Sequence, residues 1–256
     1  MQIGVMNHPN VDLLGEIKWV SQNGFDFIDL TIEPLKAYDI DVHSVKKALK
    51  DSDLDIIGHT NPSLPFILPI ESIREACLKE FRKYIDIFVQ LGADKVNIHP
   101  SYHAPFFSTR DKIEANIHFL EQVNHICESR GVTLMLENFV APFDSPEAFS
   151  RIVEEVAGLK VHLDVGHCNI NQEENLTEAF FKEFNKDIVH LHFSDNNGKN
   201  DDHLPLGCGS IDWEQVVRTV KRYGFDGTIT LEIFVPDRDY LLLSKSKLER
   251  WWQKVM

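Results

Sequence analysis

Short apolar runs alternate with amphipathic stretches from one end of the chain to the other. The runs are QIGVM (2–6), FDFIDLT (25–31), LDIIGHT (54–60), DKVNIHP (94–100), GVTLMLEN (131–138), LKVHLDV (159–165), DIVHLHFS (187–194) and GTITLEIF (227–234). Most are rich in Val, Ile, Leu and Phe, as strands covered on both faces should be. Helical patterns fall between them. In ESIREACLKEFRKYIDIFVQLG, the residues Ile73, Cys77, Phe81, Tyr84, Ile85 and Phe88 recur at three-and-four spacing, and Gly92 stands where a C-terminal cap belongs. SPEAFSRIVEEV places Ser145 as N-cap and Pro146 at the first helical position. DWEQVVRTVKRYG spaces Asp212 and Gln215 like a capping box, with Gly224 at its end. Weaker helical patterns lie around DVHSVKKALKD and LTEAFFKEF.

Eight strands alternating with helices predict an α/β protein, a single (β/α)8 TIM barrel forming one domain over residues 1–256. A doubly wound open sheet is the alternative. Against it, MNHPNV follows the first strand where a glycine fingerprint would stand. The closing DYLLLSKSKLERWWQKVM reads as a helix carrying Leu241, Leu242, Trp251 and Trp252. It would either close the barrel floor or meet a second copy in a homo-oligomer.

Composition narrows the partners. With 43% hydrophobic and 26% charged residues the chain is ordinary, but its formal net charge is −14. An acidic surface repels polyanions, which weighs against a nucleic-acid partner. No run reaches the roughly 20 apolar residues of a membrane span. Cys77, Cys127, Cys168 and Cys208 are widely spaced with no CxxC pair, and MQIGVMNHPN has no basic n-region. These features predict a cytoplasmic protein with reduced thiols.

The chemistry concentrates where barrel active sites lie, at the C-terminal ends of the strands. From the third strand to the eighth these ends carry His59, His99, Glu137, Asp164, His192 and Glu232. His167 follows Asp164 in HLDVGHCN. Asp201 and His203 stand in the loop after the seventh strand, within VHLHFSDNNGKNDDHLPLG, and could bend back over the mouth. Imidazole nitrogen and carboxylate oxygen suit zinc, manganese, iron or cobalt. Carboxylates crowded together without a cation would repel one another and raise their own pKa values. His162 and His190 lie two positions before rim residues and are expected deeper in the barrel, hydrogen-bonded. His43, His118 and His125 belong to helix surfaces. His8, His103 and Glu33 are candidates for the mouth wall, and Cys168 and Cys208 for small buried thiols. The glycine-rich turn GCGS (207–210) before a helix could hold a phosphate.

On NIHPSYH, MLENF, HLDVGHCN, VHLHFSDN, DDHLPLGCGSIDW and ITLEIF, nearly the whole chain resembles the xylose isomerase-like TIM barrels. That superfamily includes sugar isomerases and epimerases and the endonuclease IV type of apurinic-site nuclease. Similarity to its epimerases implies one divalent metal (zinc, manganese or cobalt) held by Glu137, Asp164, His192 and Glu232. The two glutamates would also act as acid and base on a small sugar or sugar phosphate, through an enediolate. Similarity to the nuclease type implies two or three zinc ions and phosphodiester hydrolysis. Its nine ligand positions match His59, His99, Glu137, Asp164, His167, His192, Asp201, His203 and Glu232. The loops after the second and third strands depart from the nuclease pattern, because Lys36 is their only basic residue. The epimerase expectation is therefore preferred, and a barrel that binds metal or sugar without turnover is the third alternative.

Overall fold

The predicted alternation resolves into eight parallel strands that pair in chain order, in a computed structural model describing residues 1–32 and 40–255. The strands are β1 (Gln2–Met6), β2 (Phe27–Thr31), β3 (Asp55–His59), β4 (Lys95–Ile98), β5 (Thr133–Glu137), β6 (Lys160–Asp164), β7 (Ile188–Phe193) and β8 (Thr228–Leu231). β8 pairs back to β1, closing a single (β/α)8 TIM barrel. The outer ring is α1 (Leu13–Gln22), α2 (Val42–Asp51), α3 (Glu71–Leu91), α4 (Thr109–Glu128), α5 (Pro146–Glu155), α6 (Thr177–Phe184), α7 (Trp213–Arg222) and α8 (Asp239–Lys254). The regular strands are shorter than the apolar runs, so His99 and Glu232 sit one residue beyond β4 and β8.

Two populations of strand residue divide the interior. One parity, with Ile28, Leu30, Leu136, Leu163 and Leu191, joins Phe81, Phe88, Phe149 and Phe180 of the helices in the main apolar core. The other parity faces the barrel axis. There Phe27, Ile57 and Met135 form a small separate apolar cluster. Above it the interior turns polar, with Asp29, Asn97, His162 and His190 all fully buried. Barrel interiors are ordinarily packed with branched aliphatics. A polar interior persists only if its groups are hydrogen-bonded or hold something.

The local signals hold in part. Gly92 closes α3 at φ 101°, a left-handed conformation that favours glycine. Asp212 caps α7 by accepting the Gln215 amide at 3.0 Å, while a full reciprocal box forms at α4 between Ser108 and Asp111. Ser145 occupies the N-cap position of α5, yet its side chain makes no cap bond. α8 does not close the floor. It takes its place in the outer ring against α7 and β8, with Trp251 stacked on Trp213 at 6.4 Å between ring centroids.

The loop between β7 and α7 folds around one carboxylate. Asp195 is fully buried and accepts from the backbone amides of Asn196 (2.9 Å), Gly207 (2.8 Å) and Ile211 (3.3 Å) and from the Trp213 indole (2.9 Å). Its backbone exchanges two hydrogen bonds with Leu204, at 2.9 and 2.8 Å. Both ends of the loop are thereby pinned, and residues 201–203 swing back over the barrel. The phosphate expectation for GCGS is not met, because the Gly207 amide is taken by Asp195, the Cys208 amide by the Pro205 carbonyl and the Ser210 amide by the Asn196 carbonyl. Gly209 is required there, since a Cβ would lie 2.2 Å from the Asn196 carbonyl oxygen.

Replacing Asp195 with alanine strands the amides of Gly207 and Ile211 and the Trp213 indole without their acceptor. Ile211 and Trp213 are buried, and a buried unpaired donor costs about 1–3 kcal/mol, so a loss of about 2 kcal/mol or more is expected in denaturant unfolding. A loss below about 1 kcal/mol would show that the loop is held by other means.

Candidate functional site

Parallel strands align their C-terminal ends, so rim residues far apart in sequence meet above one opening. Glu137 ends β5, Asp164 ends β6, His192 is the penultimate residue of β7 and Glu232 follows β8. Each offers one donor atom, and these atoms all lie within 4.8 Å of one another. His192 Nδ1 is 3.0 Å from Glu232 Oε2 and 3.8 Å from both Glu137 Oε1 and Asp164 Oδ2. Asn138 frames the group: its Oδ1 accepts the Asp164 amide at 2.7 Å and its Nδ2 donates to the Asp164 carbonyl at 3.0 Å.

The other five predicted rim residues surround these four. His59 and His99 form a second compact group with Glu137, with His99 Nε2 at 3.0 Å and His59 Nε2 at 4.0 Å from Glu137 Oε2. Asn97 sits beneath them and donates to Glu137 Oε2. His167, Asp201 and His203 form a chain instead: Asp201 Oδ2 lies 3.1 Å from His167 Nε2 and 3.1 Å from His203 Nε2. His203 Nδ1 reaches to 3.6 Å from Glu232 Oε2, so the loop does return over the mouth. Together they line a cavity of about 420 Å³ that also has Met6, Phe139 and Phe234 in its walls.

The remaining candidates separate. His8 is exposed but lines the cavity, edge-on to Phe234. His103 is exposed beside Tyr102 and is absent from the described cavity wall. His43, His118 and His125 lie exposed on helices. Cys168 is buried as expected, whereas Cys208 is exposed. His162 and His190 are fully buried in the barrel; His190 Nδ1 is 2.7 Å from Thr228 Oγ1, while His162 Nε2 has no hydrogen-bond partner among the described residues. Glu33 and Lys36 fall outside the described residues.

Burial and neighbouring charge divide these groups into ionised and neutral. Burial would raise Glu137, but His162 and His99 outweigh it and hold the carboxyl well below its ordinary range. Glu232 is raised by burial and lowered further by His192 and His203, so the net direction is down. Burial would lower His192, yet Glu232 and Asp29 keep it protonated well above the usual imidazole range. His167 behaves alike, with Asp164 and Asp201 outweighing burial. Burial dominates at His99 and His162 and pushes both down. Asp164 is pushed up to about 7, by burial first and by Glu232 and Glu137 beside it.

This donor set fits a divalent cation. Three carboxylates and an imidazole nitrogen converge on one point, and buried Asp164 Oδ2 has no hydrogen-bond partner among the described residues. Oxygen and nitrogen donors in that ratio suit zinc, manganese or cobalt. One buried group escaped the sequence reading. Asp29, within FDFIDLT, accepts from His190 and His192 at 3.2 and 2.8 Å. Its signal was parity: two residues after Phe27 on a strand, it shares the axis-facing side.

Residues 17–255 match the model of the xylose isomerase-like TIM barrel family. An uncharacterized protein of Methanocaldococcus jannaschii is 30% identical over 156 residues, or 59% of this chain and 60% of that protein. The chain thus spans three fifths of that curated relative's length. D-psicose 3-epimerase of Ruminiclostridium cellulolyticum is 25% identical over 241 residues, covering 86% of this chain and 77% of the enzyme. The crystal structure of a D-tagatose 3-epimerase-like protein superposes with a TM-score of 0.86 at 24% identity, covering 100% of this chain and 98% of the other.

Asp164 yields a signed pH prediction. A carboxyl whose folded pKa is raised to about 7 favours folding while protonated, and that contribution is lost as pH climbs from about 4 through 7. Metal-free Asp164→Asn should therefore melt higher than metal-free wild type at pH 8 and show no such gain at pH 4. Added zinc should raise the melting temperature of wild type far more than that of the variant. Parallel melting-versus-pH curves for the two proteins would contradict the electrostatic assignment.

Proposed function

The chain belongs to the xylose isomerase-like TIM barrel family, and from that premise we propose that it is a divalent-metal-dependent isomerase or epimerase of small sugars. The observation that carries this reading is the convergence of Glu137, Asp164, His192 and Glu232 within 4.8 Å under an open cavity of about 420 Å³. Those four residues would hold the ion. When bound, a divalent cation there would polarise neighbouring substrate oxygens and acidify the C–H bond beside a carbonyl.

The chain's own groups would move the protons. β5 and β8 stand three strands apart around an eight-strand ring, so Glu137 and Glu232 approach a central substrate from different sides. One carboxylate would take the proton beside the carbonyl and the other would deliver a proton to the opposite face, through an enediolate. Glu232 touches the cavity wall and has His203 at 3.6 Å as a neighbouring proton store. Phe139 and Phe234 supply apolar walls against which a sugar ring can rest and from which water is partly excluded. The names D-psicose 3-epimerase and D-tagatose 3-epimerase-like protein support a ketose as the substrate class.

A second reading rests on the compact His59, His99 and Glu137 group and on the His167–Asp201–His203 chain. Loaded with two or three zinc ions, the same mouth would suit phosphodiester hydrolysis of the apurinic-site nuclease type. Among the described residues lining the cavity none is Lys or Arg, which leaves a nucleic-acid backbone without a cationic track there.

Exchange of the carbon-bound proton beside the carbonyl, followed by NMR in deuterated water over a panel of ketoses, separates the readings. Wild type loaded with manganese, cobalt or zinc should exchange and epimerise at least one ketose, and chelation should abolish the activity reversibly. Glu137→Gln and Glu232→Gln should each lower turnover by about 10²–10⁴-fold. Absence of exchange on every ketose, together with nicking of abasic-site DNA by two or three zinc ions per chain, would replace the first reading with the second.

A further inference from the structure

Beneath the four rim donors lies a carboxylate with no route to solvent. Asp29 is fully buried on β2. Its Oδ2 accepts from His192 Nε2 at 2.8 Å, from Thr230 Oγ1 at 2.9 Å and lies 3.2 Å from His190 Nε2. His190 is itself held by Thr228 Oγ1 at 2.7 Å on its other nitrogen. A continuous chain therefore runs from β8 near the barrel floor, through His190 and Asp29, to His192 at the rim.

We propose that Asp29 is a positioning residue that sets His192 to present Nδ1 as an electron-pair donor to the metal centre. This rests on the reading of His192 as a metal ligand. An imidazole has two nitrogens, and a neutral ring carries a proton on only one of them. Asp29 can accept only from the nitrogen that keeps its proton, and that nitrogen is Nε2. The proton that leaves on metal binding then comes from Nδ1, the atom that stands 3.0 Å from Glu232 Oε2 and 3.8 Å from Glu137 and Asp164. The negative charge of Asp29 also raises the ring's basicity as a ligand.

A purely structural role fits the geometry less well. A buried histidine N–H needs only a neutral acceptor, and burying a full charge is costly. Asp29 nonetheless gathers its bonds on Oδ2, and among the described residues neither its Oδ1 nor the nearby His59 Nδ1, 3.7 Å away, has a hydrogen-bond partner. An asparagine has the right shape to replace it: the amide oxygen would accept from His192 and the amide nitrogen would face His59 Nδ1.

The test measures zinc affinity of full-length wild type and Asp29→Asn by competition with a chromophoric chelator, with melting of both metal-free proteins as the control for folding. The variant should bind zinc about 10–100-fold more weakly. In zinc-loaded wild type, nitrogen-15 NMR of the His192 ring should show a protonated Nε2 and a metal-bound Nδ1. That second readout needs no variant, so a misfolded Asp29→Asn leaves the idea testable. Zinc affinity of a folded variant within twofold of wild type, or a protonated Nδ1 with metal on Nε2, would overturn the role of Asp29 while leaving the metal centre in place. A wild type that binds no zinc would remove the metal centre itself, a distinguishable failure.

Discussion

Carboxylates brought together out of water repel one another unless a positive charge stands among them. At the mouth of this barrel Glu137, Asp164 and Glu232 are buried together, with Asp29 directly below. Without a cation the histidines supply that charge: His192 and His167 are held protonated, and Asp164 is pushed up to about 7. A divalent ion held by the four rim donors would displace the protons on His192 Nδ1 and Asp164 and neutralise Glu137, Asp164 and Glu232 together. Metal binding, proton release and stability would therefore be linked in this fold. The same crowding that destabilises the metal-free mouth would give the ion its affinity.

The rest of the structure can be understood as what holds such a mouth together. Parallel strands bring donors from four separate parts of the chain to one height, which no single helix or loop could do. Outside the sheet the packing is conventional, with Phe81, Phe88, Phe149 and Phe180 pressing apolar faces onto the strands. Inside it, the apolar cluster is reduced to Phe27, Ile57 and Met135, and the space above them goes to hydrogen-bonded polar groups. Asp195 plays the matching part in the loop after β7, turning backbone amides inward so that Asp201 and His203 are carried over the opening. Stability built into the scaffold thus supports a site whose own residues oppose folding until they are neutralised.

Much of this was legible along the chain. The eight apolar runs located every strand, because strands buried on both faces read as continuous hydrophobic segments. Rim donors were legible because a polar residue at the end of an apolar run has few reasons to be there. Less visible were groups whose meaning depends on which way a strand faces. Asp29 is one of two aspartates in FDFIDLT, and only the closed barrel shows that it meets His190 and His192, some 160 residues distant. Asp195 sits in a run of polar residues that gives no sign of its part, which is to organise backbone amides. The GCGS turn misled for the same reason: glycines before a helix advertise open amides, and nothing in the local sequence reveals that a carboxylate from twelve residues upstream already takes the Gly207 amide. α8 was likewise ambiguous, since its apolar residues suit a barrel floor, a partner or the outer ring equally well until packing decides.

One divalent ion gripped by four side chains at the ends of four strands would account for the whole of this mouth. Anomalous diffraction from crystals soaked in manganese or zinc, collected at the absorption edge of the metal, addresses it directly. A peak at about 2.0–2.2 Å from Glu137, Asp164, His192 Nδ1 and Glu232 is the expected result. Full occupancy at another position, with those four side chains left uncoordinated, or no peak at saturating metal, would contradict it.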